Sequence, residues 1–519
     1  MPERRPIPPL WVAIAASIAG GLLLTAAYPA LAWWPAAFVA VPLVLVGLDG
    51  RRARSAAIVG LAFAAAFSLT NLAFTARYLG PVPWLALSTL EALLTAACSI
   101  PIALTYRWLP RALPGRWARL VTLPALVAAL WTMRELIQGV FPYGGFPWAR
   151  VGVTQSNGPL AEVASWVGMS GLTFLVVFAC GAAVECVREA RWRDPRPLLP
   201  TAIAVAVLFA LPQFPTTDAG TLRVGAVQGN GPAGYFDEYT ANAVLNAQLQ
   251  ATAPIVGEPM DVLVWPEGGV DSDPTRDAVT AEVLDSLAER VGAPLVIGAI
   301  TKRGDEYFNS SLLWDADADS PLQTYDKRHP VPFGEYVPDR WLWRTFAPDL
   351  IDLIQREYTP GTASPVFDVD GVSVGLAICF DVIYDDVVRD GALGGAEVYV
   401  FQTNNADFRG TSENLQQLAF ARMRAIETGR AVVNISTVGT SQVIAPDGSE
   451  IAGLEADSAG ALLVDVPLRT GLTPAVVLGP WIQALLGWGG VAAVAVLGVA
   501  VRMREGGVGR PLRRRGGPS

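Results

Sequence analysis

Long apolar runs separated by short arginine-bearing stretches fill residues 1–219. A membrane-spanning helix needs about 20 mostly apolar residues. Windows of that length predict spans near 10–28, 32–49, 56–76, 84–106, 120–139, 164–187 and 198–214, and an eighth near 478–502. The texture changes between the last two. Residues 220–470 carry most of the acidic side chains, and short apolar runs there end in polar residues: TLRVGAVQGN, DVLVWPEGG, PLVIGAIT, VSVGLAICFD, EVYVFQTNN and AVVNIST. Helix-length segments lie between several of them, such as YTANAVLNAQLQAT and TRDAVTAEVLDSLAERVG, the second with apolar residues at helical spacing. Strands alternating with helices predict a layered α/β domain. The chain thus reads as a seven-span bundle (1–219), an α/β domain (220–470), and a final span with a basic tail (471–519).

Arginine placement orients the spans. Arg4 and Arg5 precede the first; Arg51, Arg52 and Arg54 follow the second; Arg107, Arg111, Arg116 and Arg119 follow the fourth. Arg188, Arg191, Arg193 and Arg196 follow the sixth, and Arg502, Arg504, Arg510 and Arg513 to Arg515 follow the eighth. Both termini are then cytoplasmic and the 220–470 block lies outside. A signal peptide cleaved near Ala30 to Ala32 is the rival reading of the first run, but its apolar core is longer than such regions usually are. The segment MRELIQGVFPYGGFPWARVG, with Arg134, Glu135 and Arg150 among aromatics and glycines, reads as an interfacial connector ahead of a contact surface for lipid or for the outer block.

Composition agrees: 52% of the 519 residues are hydrophobic and 16% charged, against roughly 25% charged in ordinary soluble domains. A net charge of −9 makes nucleic acid an unsuitable partner. Lys302 and Lys327 are the two lysines of the chain, so a lysine kept here draws attention.

Cys98, Cys180 and Cys186 lie in or beside predicted spans, which leaves Cys379 alone in the outer block. No disulfide can form within that block, and an unpaired thiol outside the cell is a liability. One reading is a buried core cysteine acting as a small hydrophobe. The other is a nucleophile, which needs its proton removed and its thiolate stabilised. His329 is the one histidine, so a cysteine–histidine pair would have to use it. The alternative is a carboxylate with a lysine. Glu267 in WPEGG follows an apolar strand, as Cys379 does, and Lys327 lies in YDKRHPVPFGEYVP. A carboxylate in an apolar pocket has its pKa raised toward working pH, and an ammonium can hold an oxyanion.

WPEGG, YDKRHPVPFGEYVP, GLAICFD and ARMRAIETGR resemble the nitrilase superfamily. The layout of spans, outer domain and last span resembles the apolipoprotein N-acyltransferase family over essentially the whole chain. That resemblance implies an αββα sandwich on a membrane helix bundle in the bacterial cytoplasmic membrane. It implies Glu267 as general base, Lys327 as oxyanion stabiliser and Cys379 as nucleophile. Glu335 would orient the lysine or assist proton transfer, the Phe380 N–H would complete the oxyanion hole, and Asp381 would support the site. The implied donor is a phospholipid and the implied acceptor is the α-amine of a diacylglyceryl-modified lipoprotein. No metal cluster, phosphate-binding glycine loop or nucleotide signature occurs, so no cofactor is expected.

Departures from the family pattern are visible. Phe380 stands where a tyrosine is common, Asp381 where a glutamate is common, Phe236 and Asp407 where tryptophans are usual, and Gln416 or Gln417 near a usual histidine. They bear on lid behaviour and acyl preference more than on the reaction. His329 reads as structural, although a strand would set it on the same face as Lys327. Two other functions stay open: a membrane-tethered nitrilase-type hydrolase, and a non-catalytic scaffold for an enzyme such as a polyprenyl-lipid glycosyltransferase.

Overall fold

The computed structural model describes residues 8–189, 206, 209–238, 240–316 and 320–508. Apolar helices occupy the N-terminal part, and among the described residues five helices are long and apolar enough to cross a bilayer: Ala53–Asn71, Pro81–Ala112, Ala118–Gln138, Ala161–Glu189 and Pro474–Arg504. The first two predicted spans are shorter. Leu10–Ala26 has 17 residues, and the predicted 32–49 span opens with the 3-10 turn Trp34–Ala36 and leaves 12 residues to Ala37–Leu48. Pro35 in that opening turn favours the tighter start. The predicted span 198–214 falls largely outside the described residues. The predicted spans thus correspond to five long and two short apolar helices among the described residues. Close packing holds the helices: a Cβ on Gly21 would meet the Phe63 carbonyl oxygen at 2.4 Å, so glycine lets helix Leu10–Ala26 lie against Ala53–Asn71.

Residues 217–470 form two six-stranded sheets. The first has the order β12-β1-β2-β3-β4-β5 and the second β11-β10-β9-β8-β7-β6. The strands are β1 Thr217–Gln228, β2 Val262–Val264, β3 Leu295–Arg303, β4 Glu306–Trp314, β5 Gln323–Asp326, β6 Val366–Val369, β7 Val372–Ile378, β8 Val398–Thr403, β9 Ala431–Ser436, β10 Ser441–Ile444, β11 Glu450–Leu454 and β12 Gly460–Thr470. Parallel pairs β1–β2–β3 and β7–β8–β9 form the sheet centres, where helices supply the crossovers. Side chains alternate across each strand. Val262, Val264 and Val296 face inward and share one core with Leu376, Ile378 and Val400 of the second sheet. Leu263, Leu295 and Ile297 face outward and pack with Leu284, Leu287 and Val291 of helix Ala278–Val291. Asp277 caps that helix by accepting from the Val279 N–H at 3.1 Å, and Gly292 ends it in the left-handed region. Helices Asp385–Leu393 and Glu413–Thr428 accompany the second sheet. β1 pairs antiparallel with β12 along its length, from Thr217 opposite Thr470 to Gln228 opposite Gly460.

The segment MRELIQGVFPYGGFPWARVG does more than connect. Its first six residues finish helix Leu123–Gln138 with Arg134, Glu135 and Gln138 buried. The rest faces the sheet domain. Trp148 donates to Gln416 at 2.6 Å, Tyr384 donates to the Gly145 carbonyl at 3.1 Å, and Phe146 packs on Phe380. Arg150 grips Asp385 through both carboxylate oxygens at 2.7 and 2.8 Å. The contact-surface reading replaces the connector reading, because these partners lie far away in sequence and only the fold brings them together.

Candidate functional site

Glu267 follows β2 through Trp265 and Pro266, and Trp265 is wholly buried. Gln402 of β8 donates to the Trp265 carbonyl at 2.6 Å and ties this strand end to the opposite sheet. Gly298 of β3 makes room: a Cβ there would sit 2.6 Å from the Glu267 Cα. Lys327 follows β5. Its N–H donates to the Asn309 carbonyl at 2.8 Å and its side chain is 2% exposed. Glu335 comes from the loop after Lys327 and is anchored by the Val331 N–H at 2.6 Å.

These three side chains meet. Lys327 Nζ donates to Glu335 Oε1 at 2.9 Å and to Glu267 Oε1 at 3.3 Å. Asn309 Nδ2 on β4 donates to the same two oxygens, at 3.0 and 2.7 Å respectively. Asn309 went unnoticed in the sequence because β4 lacked a distinctive polar end. Glu267 Oε2 has no hydrogen-bond partner although it is buried. An unfilled lone pair in such a place is available to a proton.

Cys379 stands at the end of β7, half-buried, with φ +48°. A non-glycine residue in the left-handed region is strained, and such strain gathers at functional sites. The turn swings the chain from β7 into the 3-10 segment Cys379–Ile383. Burial and then the charge of Glu267 push the thiol well above its ordinary value, while Lys327 pulls it down. Burial also raises the Glu267 carboxyl; Lys327 opposes this and Glu335 adds to it. Burial alone would depress the Lys327 ammonium, but Glu267 and Glu335 together raise it well above the usual lysine range. Two carboxylates around one ammonium leave an excess negative charge, so a proton on a carboxyl is favoured. A base that holds protons reluctantly in water and readily here suits general acid–base work.

Asp381 is buried and reaches backward rather than into the site. It accepts from the N–H groups of His329 at 2.8 Å and Arg328 at 3.3 Å, and from the Tyr325 hydroxyl at 2.8 Å. It therefore clamps the segment that carries Lys327. The Phe380 ring is buried against Phe146 and Tyr384. His329 stacks on Tyr384 at 3.8 Å and its Nε2 lies 3.0 Å from Asp386, so its ring is engaged with helix Asp385–Leu393. Asp407 accepts from the Tyr235 N–H at 2.8 Å, and burial raises its carboxyl to about 6. Phe236 is half exposed against Tyr78 and Tyr235. The adjacent glutamines diverge: Gln416 faces Trp148 and the Asn71 carbonyl, while Gln417 faces Cys379.

Residues 223–471 match the family model described as Carbon-nitrogen hydrolase, and residues 20–182 match the one described as Apolipoprotein N-acyltransferase N-terminal domain. An Apolipoprotein N-acyltransferase of Mycolicibacterium smegmatis is 33% identical over 97% of this chain and 87% of its own. One of Shewanella oneidensis is 30% identical over 69% of this chain and 70% of its own. A solved CN-hydrolase superfamily protein of Xanthomonas campestris aligns with 52% of this chain and 97% of its own at 18% identity, with a TM-score of 0.35. With a full-length relative at this identity and both halves matched in order, the chain belongs to the apolipoprotein N-acyltransferase family.

Proposed function

We propose that the protein moves a fatty acyl chain from a membrane phospholipid to the α-amine of the N-terminal diacylglyceryl cysteine of lipoproteins, through a thioester on Cys379. The observation that carries this is the meeting of Glu267, Lys327 and Glu335 in a domain whose one thiol ends a strand of the second sheet, beside a bundle of apolar helices. In the first half-reaction Glu267 takes the thiol proton and Sγ attacks the ester carbonyl. Lys327 and the Phe380 N–H hold the oxyanion. The alkoxide of the lysophospholipid leaves with the proton from Glu267. In the second, the amine attacks the thioester, Glu267 accepts the amine proton, and the expelled thiolate takes it back. A covalent intermediate splits one difficult transfer into two easier ones. The arginine pattern supports a domain at residues 220–470 on the outer face of the bacterial cytoplasmic membrane, with residues 1–219 and 471–519 as its membrane parts. Both lipid substrates would then lie within its reach.

The test is mass spectrometry of the Cys379 peptide after incubation with phospholipid alone. A thioester adduct that disappears when a diacylglyceryl lipopeptide is added supports the reading. No adduct on Cys379 overturns it, and free fatty acid without acylated peptide assigns a hydrolase instead.

A further inference from the structure

The charged groups described above reach the thiol from the first sheet. The opposite side carries a different chemistry. Gln417 lies on the first turns of helix Glu413–Thr428, is almost wholly buried, and donates its Nε2–H to Cys379 Sγ at 3.3 Å. This orientation of the amide is set by its neighbours. Ser436 Oγ accepts from the Gly439 N–H at 2.9 Å, so its own proton goes to Asn405 Oδ1 at 2.6 Å. With its oxygen so occupied, Asn405 turns its Nδ2 toward helix Glu413–Thr428. There it donates to Glu413 Oε2 at 2.8 Å and to Gln417 Oε1 at 2.9 Å. Gln417 Oε1 is thereby an acceptor, and its NH2 group is what remains for the sulfur. Asn405, Glu413 and Gln417 are each no more than 3% exposed, so water does not compete for these bonds.

We propose that Gln417 is a further catalytic residue, a neutral hydrogen-bond donor that stabilises the Cys379 thiolate both when it attacks and when it is expelled, with Asn405 and Glu413 as the positioning residues that aim it. The physical reason is selectivity between sulfur states. A thiol or thioester sulfur is a weak acceptor, whereas a thiolate is a strong one. A donor aimed at Sγ thus favours the states that carry charge, which is what accelerates a step. The groups facing Cys379 make such help necessary. Glu267, Glu335 and Glu413 all oppose a negative sulfur, and Lys327 alone among the charged neighbours favours it. A neutral donor adds stabilisation without a second cation that would compete for Glu267.

This inference rests on the thioester reading, and its test separates the two. Full-length protein in detergent is alkylated with iodoacetamide between about pH 7 and 9, and since the thiolate is the form that reacts, the rate read at the Cys379 peptide by mass spectrometry reports its stabilisation. Hydrogen bonds to charged groups predict that Gln417→Met slows alkylation and thioester formation by about tenfold to a hundredfold. Gln417→Glu, which keeps the shape and puts a carboxylate beside the sulfur, slows both further. Gln417→His retains an N–H donor and stays nearer the unsubstituted rate. Asn405→Ala, which removes the group that aims the amide, lowers the rate less than Gln417→Met does. Equal alkylation rates in the unsubstituted protein, Gln417→Met and Gln417→Glu overturn the inference and leave the thioester reading intact. A Gln417→His variant as slow as Gln417→Met, with an unchanged melting temperature, overturns it as well. A thiol that is inert to iodoacetamide in the unsubstituted protein overturns both.

Discussion

Two buried ionic clusters lie on either side of the Cys379 turn, and they are built on opposite principles. At the junction with the helices, Arg150 and Arg424 face Asp385 and Glu427, two cations against two anions. Nearly every polar atom there is engaged. Arg424 also donates to the carbonyls of Val382 and Ile383, Gln483 of the last helix donates to Asp385 at 2.6 Å, and the Met169 N–H donates to Glu427 at 3.2 Å. Burial works against the charge of Asp385, yet the arginines on both sides hold its carboxyl well below the usual range. In the site, by contrast, one ammonium serves two carboxylates and Glu267 Oε2 is left without a partner. In the balanced cluster each carboxylate has its own arginine, which opposes the upward pull of burial on Asp385 and on Glu427. An unbalanced one sits close to exchanging a proton, and the difference separates a fastener from a reactive centre.

The largest effects on rate should come from the unbalanced cluster. Cys379→Ala abolishes acyl transfer. Lys327→Met, which removes the ammonium from the developing oxyanion, lowers the rate of Cys379 acylation by roughly 10²–10³-fold. Melting temperatures in detergent should stay near that of the unsubstituted protein for Cys379→Ala. A large drop there would mean that the thiol is a packing group and would dissolve the contrast.

The balanced cluster should behave in the reverse way. Arg150→Met leaves Asp385 buried with one arginine fewer, and breaking such a pair costs about 3–5 kcal/mol of stability. Thermal melting reads this directly. Protein that remains folded should still form the thioester at a rate within a few-fold of the original.

The pH dependences separate the clusters a third time. Asp385 has a depressed pKa, so its contribution to stability is present above the unfolded carboxylate value of about 3.9 and is lost as the pH falls toward its folded value. Melting temperature should therefore decline in acid, and Asp385→Asn should flatten that decline. Glu267 has a raised pKa and must be ionised to accept the thiol proton. Cys379 acylation should accordingly rise with pH through a value above the ordinary glutamate range, while linkage makes melting temperature fall over the same range as the buried carboxyl ionises, opposite in sign to the Asp385 effect. The smallest effect belongs to His329→Ala, which should keep acyl transfer within a few-fold, since that ring is occupied by Tyr384 and Asp386. Near-complete loss in a steady-state acylation assay would move the base from Glu267 to the histidine.

The site was legible in the sequence wherever a strand ran straight into a polar residue. Val262–Val264 leads to Glu267 and Val372–Ile378 to Cys379, so apolar runs with reactive ends pointed at both, whereas Lys327 follows the polar strand Gln323–Asp326 and stood out as one of two lysines in the chain. The second wall was not legible. Glu413 and Gln417 have the spacing of one helix face, but nothing local says that this face meets a cysteine 38 residues earlier. The junction was harder still, since Arg150 and Asp385 are 235 residues apart and each alone reads as an ordinary surface charge. Span lengths were less legible for a related reason. Hydropathy reports what can enter a bilayer, whereas a turn such as Trp34–Ala36 is favoured by the proline at its start.

The antiparallel pairing of β1 with β12 has one more consequence. Because Thr217 lies opposite Thr470, the polypeptide enters and leaves the sandwich at the same corner. A unit with adjoining ends can be set into a hairpin between two spans without stretching either of them, much as a bead is threaded onto a doubled string. The same geometry would let such a module be exchanged among different sets of anchors while its own register stays undisturbed.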